Sequence, residues 1–223
     1  MAGDLSELSP AALALRSARV WARRAARLAV WRLRPAEFPS PALGSDDGFP
    51  HLLYRRTIPI ALGEADARLE RGKRANLALA APHLDGLVVS PGRPFSFWRA
   101  VPRPTAARGY QLGTELRGGC LVPSAGGGLC LLSNALFEAA SRLGWRILER
   151  HNHTMARASA CGTERPLALD ATVLWPHVDL RFAPRAGAAR LEVRADRQAL
   201  SLAVWGDRPA ELAVDIAPTE STS

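Results

Sequence analysis

The run Ala125-Gly126-Gly127-Gly128-Leu129-Cys130-Leu131-Leu132-Ser133-Asn134 constrains this chain more than any other stretch, because three consecutive glycines open directly into a helical pattern. Leu129, Leu132, Leu136, Ala139 and Leu143 keep the i, i+3, i+4 spacing of one buried helix face, and Gly144 supplies a C-terminal stop. The opposite stripe carries Cys130, Asn134 and Phe137, which places a thiol and a side-chain amide one turn apart. Cys130 falls in the first turn, where unpaired N–H groups and the positive end of the helix dipole favour a thiolate over a thiol. The glycines before it let a substrate carbonyl approach the backbone closely. Against this stands a plainer reading, in which the glycines form a tight loop and Cys130 is a small buried hydrophobe.

The chain has 223 residues, 48% of them apolar, which is enough for one substantial core and short for two ordinary domains. A net charge of +8 normally points to nucleic acid or an anionic surface. Here, however, Lys73 is the only lysine, and the arginine excess accompanies heavy alanine and leucine use, as an arginine-rich coding background would produce. No aromatic-and-basic recognition motif accompanies the charge, so nucleic acid is not expected as a partner. Cys120, Cys130 and Cys161 cannot all pair within one chain and lack the spacing of a disulfide-rich domain, so the expected setting is reducing and cytoplasmic. No run approaches the roughly twenty apolar residues of a bilayer span. The N-terminus, with Asp4, Glu7 and repeated arginines, does not read as a signal peptide.

The pattern divides the chain into a basic helix and linker over residues 1–49, a main domain over 50–207 and a loose tail over 208–223. Pro10 to Leu33 reads as one helix, entered through Ser9 and Pro10. Its arginines and tryptophans suit either an amphipathic helix lying peripherally on an anionic membrane or a helix that covers the core with a solvated arginine face. Pro35 to Pro50 is a linker or irregular loop, and a second helix is expected from about Gly63 to Ala81. Strands are expected at Phe95–Trp98, Leu116–Val122, Arg146–His153, Leu169–Trp175 and Val178–Phe182, with a hairpin-like pair at Arg190–Arg194 and Ala199–Trp205. Helices gathered early and strands late predict an α+β fold, a mainly antiparallel sheet packed against the Cys130 helix and preceded by N-terminal helices.

A cysteine followed by His151 and His153 at a strand end, and then by Asp170 and Asp179, has the order of a nucleophile, a base and an orienting acid. The two histidines share one strand face and with Cys130 could also hold zinc, but no C-x-x-C or H-E-x-x-H pairing supports a metal, and no cofactor is expected. Arg93 and Trp98 could clamp a ligand, or Trp98 could simply close the core.

Taken in order, Gly86-Leu-Val-Val-Ser-Pro91-Gly92-Arg-Pro-Phe95-Ser96-Phe97, Gly109-Tyr110, Gly126-Gly127-Gly128-Leu129-Cys130 with Ser133, Glu149-Arg150-His151-Asn152-His153, Asp170-Ala171-Thr172-Val173 and Asp179-Leu180 resemble the VanW-like family. That family is named for an accessory protein of vancomycin-resistance clusters. Glu70 to Leu79, with Asn76-Leu77, resembles its short stand-alone members, and the resemblance covers about residues 50 to 185.

The family's biochemical role is not established, so the resemblance implies a link to the cell envelope or glycopeptide resistance rather than a reaction. It carries over Gly126, Gly127, Gly128, Cys130, Ser133, His153, Asp170 and Asp179, and favours His153 over His151 as a base. The family's usual glutamine after the cysteine is replaced by Leu131. Two expectations follow. In one, Cys130, His153, Asp170 and Asp179 serve a cysteine hydrolase or acyl transferase on a peptide-like or cell-wall-precursor ligand, with Gly126, Gly127, Gly128, Ser133 and Asn134 contacting that ligand. In the other, the chain is a non-catalytic accessory or ligand-binding module and Cys130 is structural.

Overall fold

A computed structural model describes residues 10–39, 42–60, 66–117, 120–152 and 170–209. His153, Cys161, the start of the predicted second helix and most of the predicted tail lie outside the described residues.

The architecture is α+β with antiparallel pairing throughout. Helix α1 (Pro10–Leu33) precedes strand β1 (His51–Pro59), α2 (Ala67–Ala80), and the short elements β2 (Val88–Val89), β3 (Phe95–Ser96) and α3 (Phe97–Ala100). The hairpin β4 (Leu112–Arg117) and β5 (Cys120–Ala125) leads to α4 (Cys130–Arg142), then β6 (Arg146–Glu149), β7 (Arg181–Ala183), β8 (Ala189–Ala195) and β9 (Ala199–Gly206). One sheet runs β1-β9-β8-β2 and a second runs β3-β7-β6.

The β8–β9 pair sets Val193 opposite Leu202 and Leu191 opposite Val204, all four buried, as the two-residue period of a half-buried strand requires. The same core contains Leu132, Leu136 and Ala140 of α4 and Leu77 and Ala80 of α2. At the edge of the sheet, Arg56 of β1 pairs with Glu138 of α4, and Arg142 donates to the same carboxylate at 2.9 Å.

Several predicted boundaries move, each for a local reason. Helix α2 starts at Ala67 rather than Gly63 because the Asp66 side chain caps it, accepting the Arg68 N–H at 2.7 Å. The predicted strand Phe95–Trp98 stops at Ser96 and becomes a helical turn, since the Asp179 carboxylate takes the Trp98 N–H. Leu116–Val122 is not one strand but parts of two, paired with Thr114 opposite Pro123.

The predicted strand at Leu169–Trp175 is absent over 170–173, and only Leu174 bridges Val178. Side chains of α4 take the place of a neighbouring strand there. Asn134 accepts the Ala171 N–H at 2.8 Å, and the Ser133 hydroxyl donates to the Ala171 carbonyl at 2.6 Å. Strand β6 ends at Glu149, and β7 runs Arg181–Ala183, sharing only Arg181 and Phe182 with the predicted Val178–Phe182.

Helix α1 has the predicted bounds, and Arg24 and Arg27 turn inward where the core-covering reading left every arginine to solvent. Its inward face carries Val20, Arg24, Arg27 and Trp31, one turn apart in succession. Arg27 forms a two-pronged ion pair with Glu149 at 2.5 and 2.9 Å, its guanidinium lies 5.4 Å from the Phe38 ring centroid, and Arg99 stacks over Trp31. Turned outward are Ala18, Ala22, Ala25, Ala29, Trp21 (64% exposed) and Leu33 (79% exposed), edged by Arg19, Arg23 and Arg32.

Candidate functional site

The glycine loop is shaped by the helix beneath it. Asn76 of α2 is fully buried, and its amide nitrogen donates to the carbonyls of Gln111 and Gly127 at 2.9 Å each, while its amide oxygen accepts the Gln111 N–H at 2.8 Å. Gly72, one turn earlier, is a costly residue inside a helix, but a Cβ there would lie 1.9 Å from the Leu112 carbonyl oxygen. Gly127 meets the same limit from the other side, since a Cβ would fall 2.1 Å from the Gly113 carbonyl oxygen. Gly128 turns the chain into α4 with φ +99°, a left-handed conformation that only glycine adopts without cost.

That turn leaves two donors unused. Gly127 donates to Ser124, Leu129 to Gly126 and Leu131 to Gly128, whereas the N–H groups of Gly128 and Cys130 find no hydrogen-bond partner among the described residues. Cys130 is a free, half-buried thiol at the first position of α4. It borders a cleft of about 190 Å³ whose wall includes Gly126–Gly128, Trp98 and Trp175. Arg24 of α1, Arg103 and Glu115 bring charge to the same cleft, and the Arg103 guanidinium sits 4.8 Å from the Trp175 ring centroid.

The structure therefore brings Cys130 and Gly126, Gly127 and Gly128 together at the cleft, places Ser133, Asn134, Asp170 and Asp179 away from its lining, and leaves His153 outside the described residues. Ser133 is fully buried and spends its hydroxyl on the Ala171 and Cys130 carbonyls. Asn134 holds the Ala171 N–H. Asp179 is fully buried behind the cleft, where its carboxylate accepts from the Ser96 hydroxyl at 2.6 Å and from the Trp98 and Leu180 N–H groups at 3.1 and 2.9 Å. Burial pushes the Asp179 pKa up to about 7, against the opposing pull of the Ser96 and Trp98 bonds.

Asp170 does not border the cleft, and its backbone carbonyl accepts from Arg150. His151 is exposed and pairs with Glu149 at 3.1 Å. Trp98 is buried and donates its indole N–H to the Val178 carbonyl, so it closes the core as well as walling the cleft. Arg93 does not border this cleft. No three His, Cys, Asp or Glu side chains gather as a metal site among the described residues, and no helix there is long and apolar enough to cross a membrane.

Sequence reasoning passed over Arg24, Arg103, Trp175 and the loop-holding role of Asn76. It also passed over His177, whose Nδ1 is buried with no hydrogen-bond partner among the described residues. Burial, and then the nearby Arg24, Arg23 and Arg27, lower the His177 pKa. Only Asn76 left a trace, as part of the motif series that carries the resemblance; the others meet through tertiary packing alone.

Comparison with known proteins covers the same region. The family described as VanW like protein matches residues 72–205, which hold most of α2, the glycine loop, α4 and nearly all of the β8–β9 pair. Vancomycin B-type resistance protein VanW of Enterococcus faecalis is 31% identical over 144 residues, covering 60% of this chain and 52% of the relative. Uncharacterized protein YoaR of Bacillus subtilis is 35% identical over 112 residues, covering 50% of this chain and 35% of the relative. The chain thus spans about half the length of the first and about a third of the second. No solved structure matches it. The family match covers more than half of the chain and includes the loop and cysteine just described, and on that ground the chain belongs to the VanW-like protein family.

Proposed function

We propose that this protein is a cysteine-dependent hydrolase or acyl transferase that acts on an amide- or ester-bearing cell-envelope substrate, in the glycopeptide-resistance setting for which its enterococcal relative is named. The observation that carries the reading is the free Cys130 thiol in one cleft with the unused N–H groups of Gly128 and Cys130. The Cys130 sulfur attacks the substrate carbonyl carbon and a C–S bond forms. The carbonyl electron pair moves onto oxygen, where the two N–H groups receive it; one such donor contributes roughly 100- to 1000-fold in rate. The thiol proton passes to His153 and then to the leaving amine or alcohol as the scissile bond breaks. Water or a second nucleophile releases the acyl group from sulfur.

The outward face of α1 supports action beside an anionic bilayer. It exposes Trp21, Leu28 and Leu33 between arginines, with no acidic residue from Pro10 to Leu33. Co-sedimentation with anionic vesicles that is lost at high salt and on Trp21→Ala with Leu33→Ala is the expected result, and binding unchanged by those substitutions contradicts the placement.

The chemistry is tested by trapping. Incubation with a peptide thioester should add the acyl mass at Cys130, and the adduct should disappear in Cys130→Ser. A second reading, a non-catalytic ligand-binding module, draws support from the partial packing of Cys130 against the core. It requires that Cys130→Ser retain the cellular phenotype, whereas the enzyme reading requires its loss with the fold intact.

A further inference from the structure

Two guanidinium groups border the cleft from different parts of the chain, and neither is paired with a carboxylate among the described residues. Arg24 arrives from α1, outside the span that matches the family, and is held there by the Arg27–Glu149 pair one turn along the same helix face. Its Nε is buried with no acceptor among the described residues, an uncompensated donor of the kind a folded protein seldom leaves without a purpose. Arg103 is exposed, and the attraction of its guanidinium to the Trp175 ring, 4.8 Å away, holds the cation at the cleft wall while its N–H groups stay open to a ligand. Glu115 contributes one negative charge to the same lining against the two arginines, counted among the described residues.

We infer that the cleft selects a substrate carrying an oxyanion, a carboxylate or a phosphate, beside the group presented to Cys130, with Arg24 and Arg103 as its binding residues. The inference deepens the reading of Cys130 as a nucleophile by naming the substrate class. Arginine suits the task because its planar fork meets two oxygens of such a group at once. The cleft volume of about 190 Å³ admits a short charged segment of a larger molecule rather than a folded partner.

Two alkylating agents that differ in charge report the field at the thiol. Iodoacetate and iodoacetamide are reacted with Cys130 in a Cys120→Ser, Cys161→Ser background, and the ratio of their rates is referred to that of the same chain unfolded in denaturant. The expected result is a ratio raised roughly fivefold at low salt, equivalent to about 1 kcal/mol of screened attraction. The ratio should return to the unfolded value at high salt and in Arg24→Gln with Arg103→Gln. A ratio at or below the unfolded value in the native protein, with iodoacetamide still reacting, overturns the inference and leaves the nucleophile standing.

A second measurement does not need a reactive thiol. Cys130→Ser is titrated with N-acetylglycine, methyl phosphate and N-acetylglycinamide, and chemical shifts of labelled tryptophan indoles are followed. Shifts with the carboxylate alone or the phosphate alone identify the anion, and Arg24→Gln with Arg103→Gln should abolish them. Equal shifts with the neutral amide, or no shifts with any of the three, overturn the inference. Inertness of Cys130 toward both alkylators would instead count against the nucleophile, while this titration still decides the anion site.

Discussion

The side-chain amide of Asn76 lies 2.9 Å from the carbonyl oxygen of Gly127, and through that bond a helix residue far away in sequence sets the shape of the loop that carries Cys130. The same nitrogen reaches the Gln111 carbonyl and the amide oxygen takes the Gln111 N–H, so one buried side chain holds three backbone groups.

Asn76→Ala removes the partner of the Gly127 carbonyl and of the Gln111 N–H and one of two donors to the Gln111 carbonyl, which keeps the Gly126 N–H at 3.1 Å, and the expected loss is about 1–3 kcal/mol in denaturant unfolding. Asn76→Asp should be at least as costly, because a carboxylate has no proton to donate to the Gln111 and Gly127 carbonyls. A variant with either change that unfolds at the wild-type midpoint would contradict this role.

Gly127→Ala places a methyl group 2.1 Å from the Gly113 carbonyl oxygen, a backbone atom that cannot swing aside. The loop and β4 must separate, with an expected cost of about 2–4 kcal/mol or failure to fold. Gly48→Ala is the control, since nothing lies within 4 Å of a Cβ there, and its midpoint should move little.

Asp179 makes stability depend on pH in an unusual direction. Its pKa is about 7 in the fold against an ordinary value of 3.8, so the native state holds a proton that the unfolded chain has already released. The contribution is therefore full below about pH 4, falls as pH rises toward 7 and is flat above that. Asp179→Asn keeps an oxygen for the Trp98 and Leu180 N–H groups and an amide for Ser96, and it cannot ionise. The stability of wild type minus that of Asp179→Asn should fall by up to about 4 kcal/mol between pH 4 and 7, followed by urea titration at each pH. A difference that stays constant or grows over that range would contradict the assignment.

Arg27→Ala breaks the paired contact that docks α1 beside β6, where both side chains are largely covered. The expected cost is about 1–3 kcal/mol, concentrated in α1. Hydrogen exchange over residues 17–34 should quicken while β8 and β9 keep their protection. Uniform protection across α1 in the variant would show that the helix is held by other means.

Much of the fold was legible because local chemistry declared it. Pro10 at the start of α1, the apolar spacing from Leu129 to Leu143 and the alternation through β8 and β9 are short-range signals, and those elements stand within a residue or two of their expected positions. The segment at 170–173 departs from the expected strand because the Ala171 N–H and carbonyl pair with the side chains of Asn134 and Ser133, which no periodicity reports, and among the described residues only the Thr172 N–H reaches a backbone carbonyl, that of His151. For the same reason these two residues and Asp179, read as site groups, instead hold the frame behind the cleft. Arg24 was hidden differently. Arginines at positions 16, 19, 23, 24, 27 and 32 circle α1, so the pattern alone did not show which ones turn inward. Cys130 and its glycines were legible because three glycines before a helix admit few conformations.

The reactivity of Cys130 decides whether its thiol is a nucleophile. In the Cys120→Ser, Cys161→Ser background at neutral pH, its iodoacetamide alkylation rate is measured by peptide mass in the native protein, in His153→Ala and in denaturant. The native thiol should react several-fold faster than the unfolded one, and His153→Ala should remove most of that excess. A native rate equal to or below the unfolded rate, unaffected by His153, would contradict a nucleophilic Cys130.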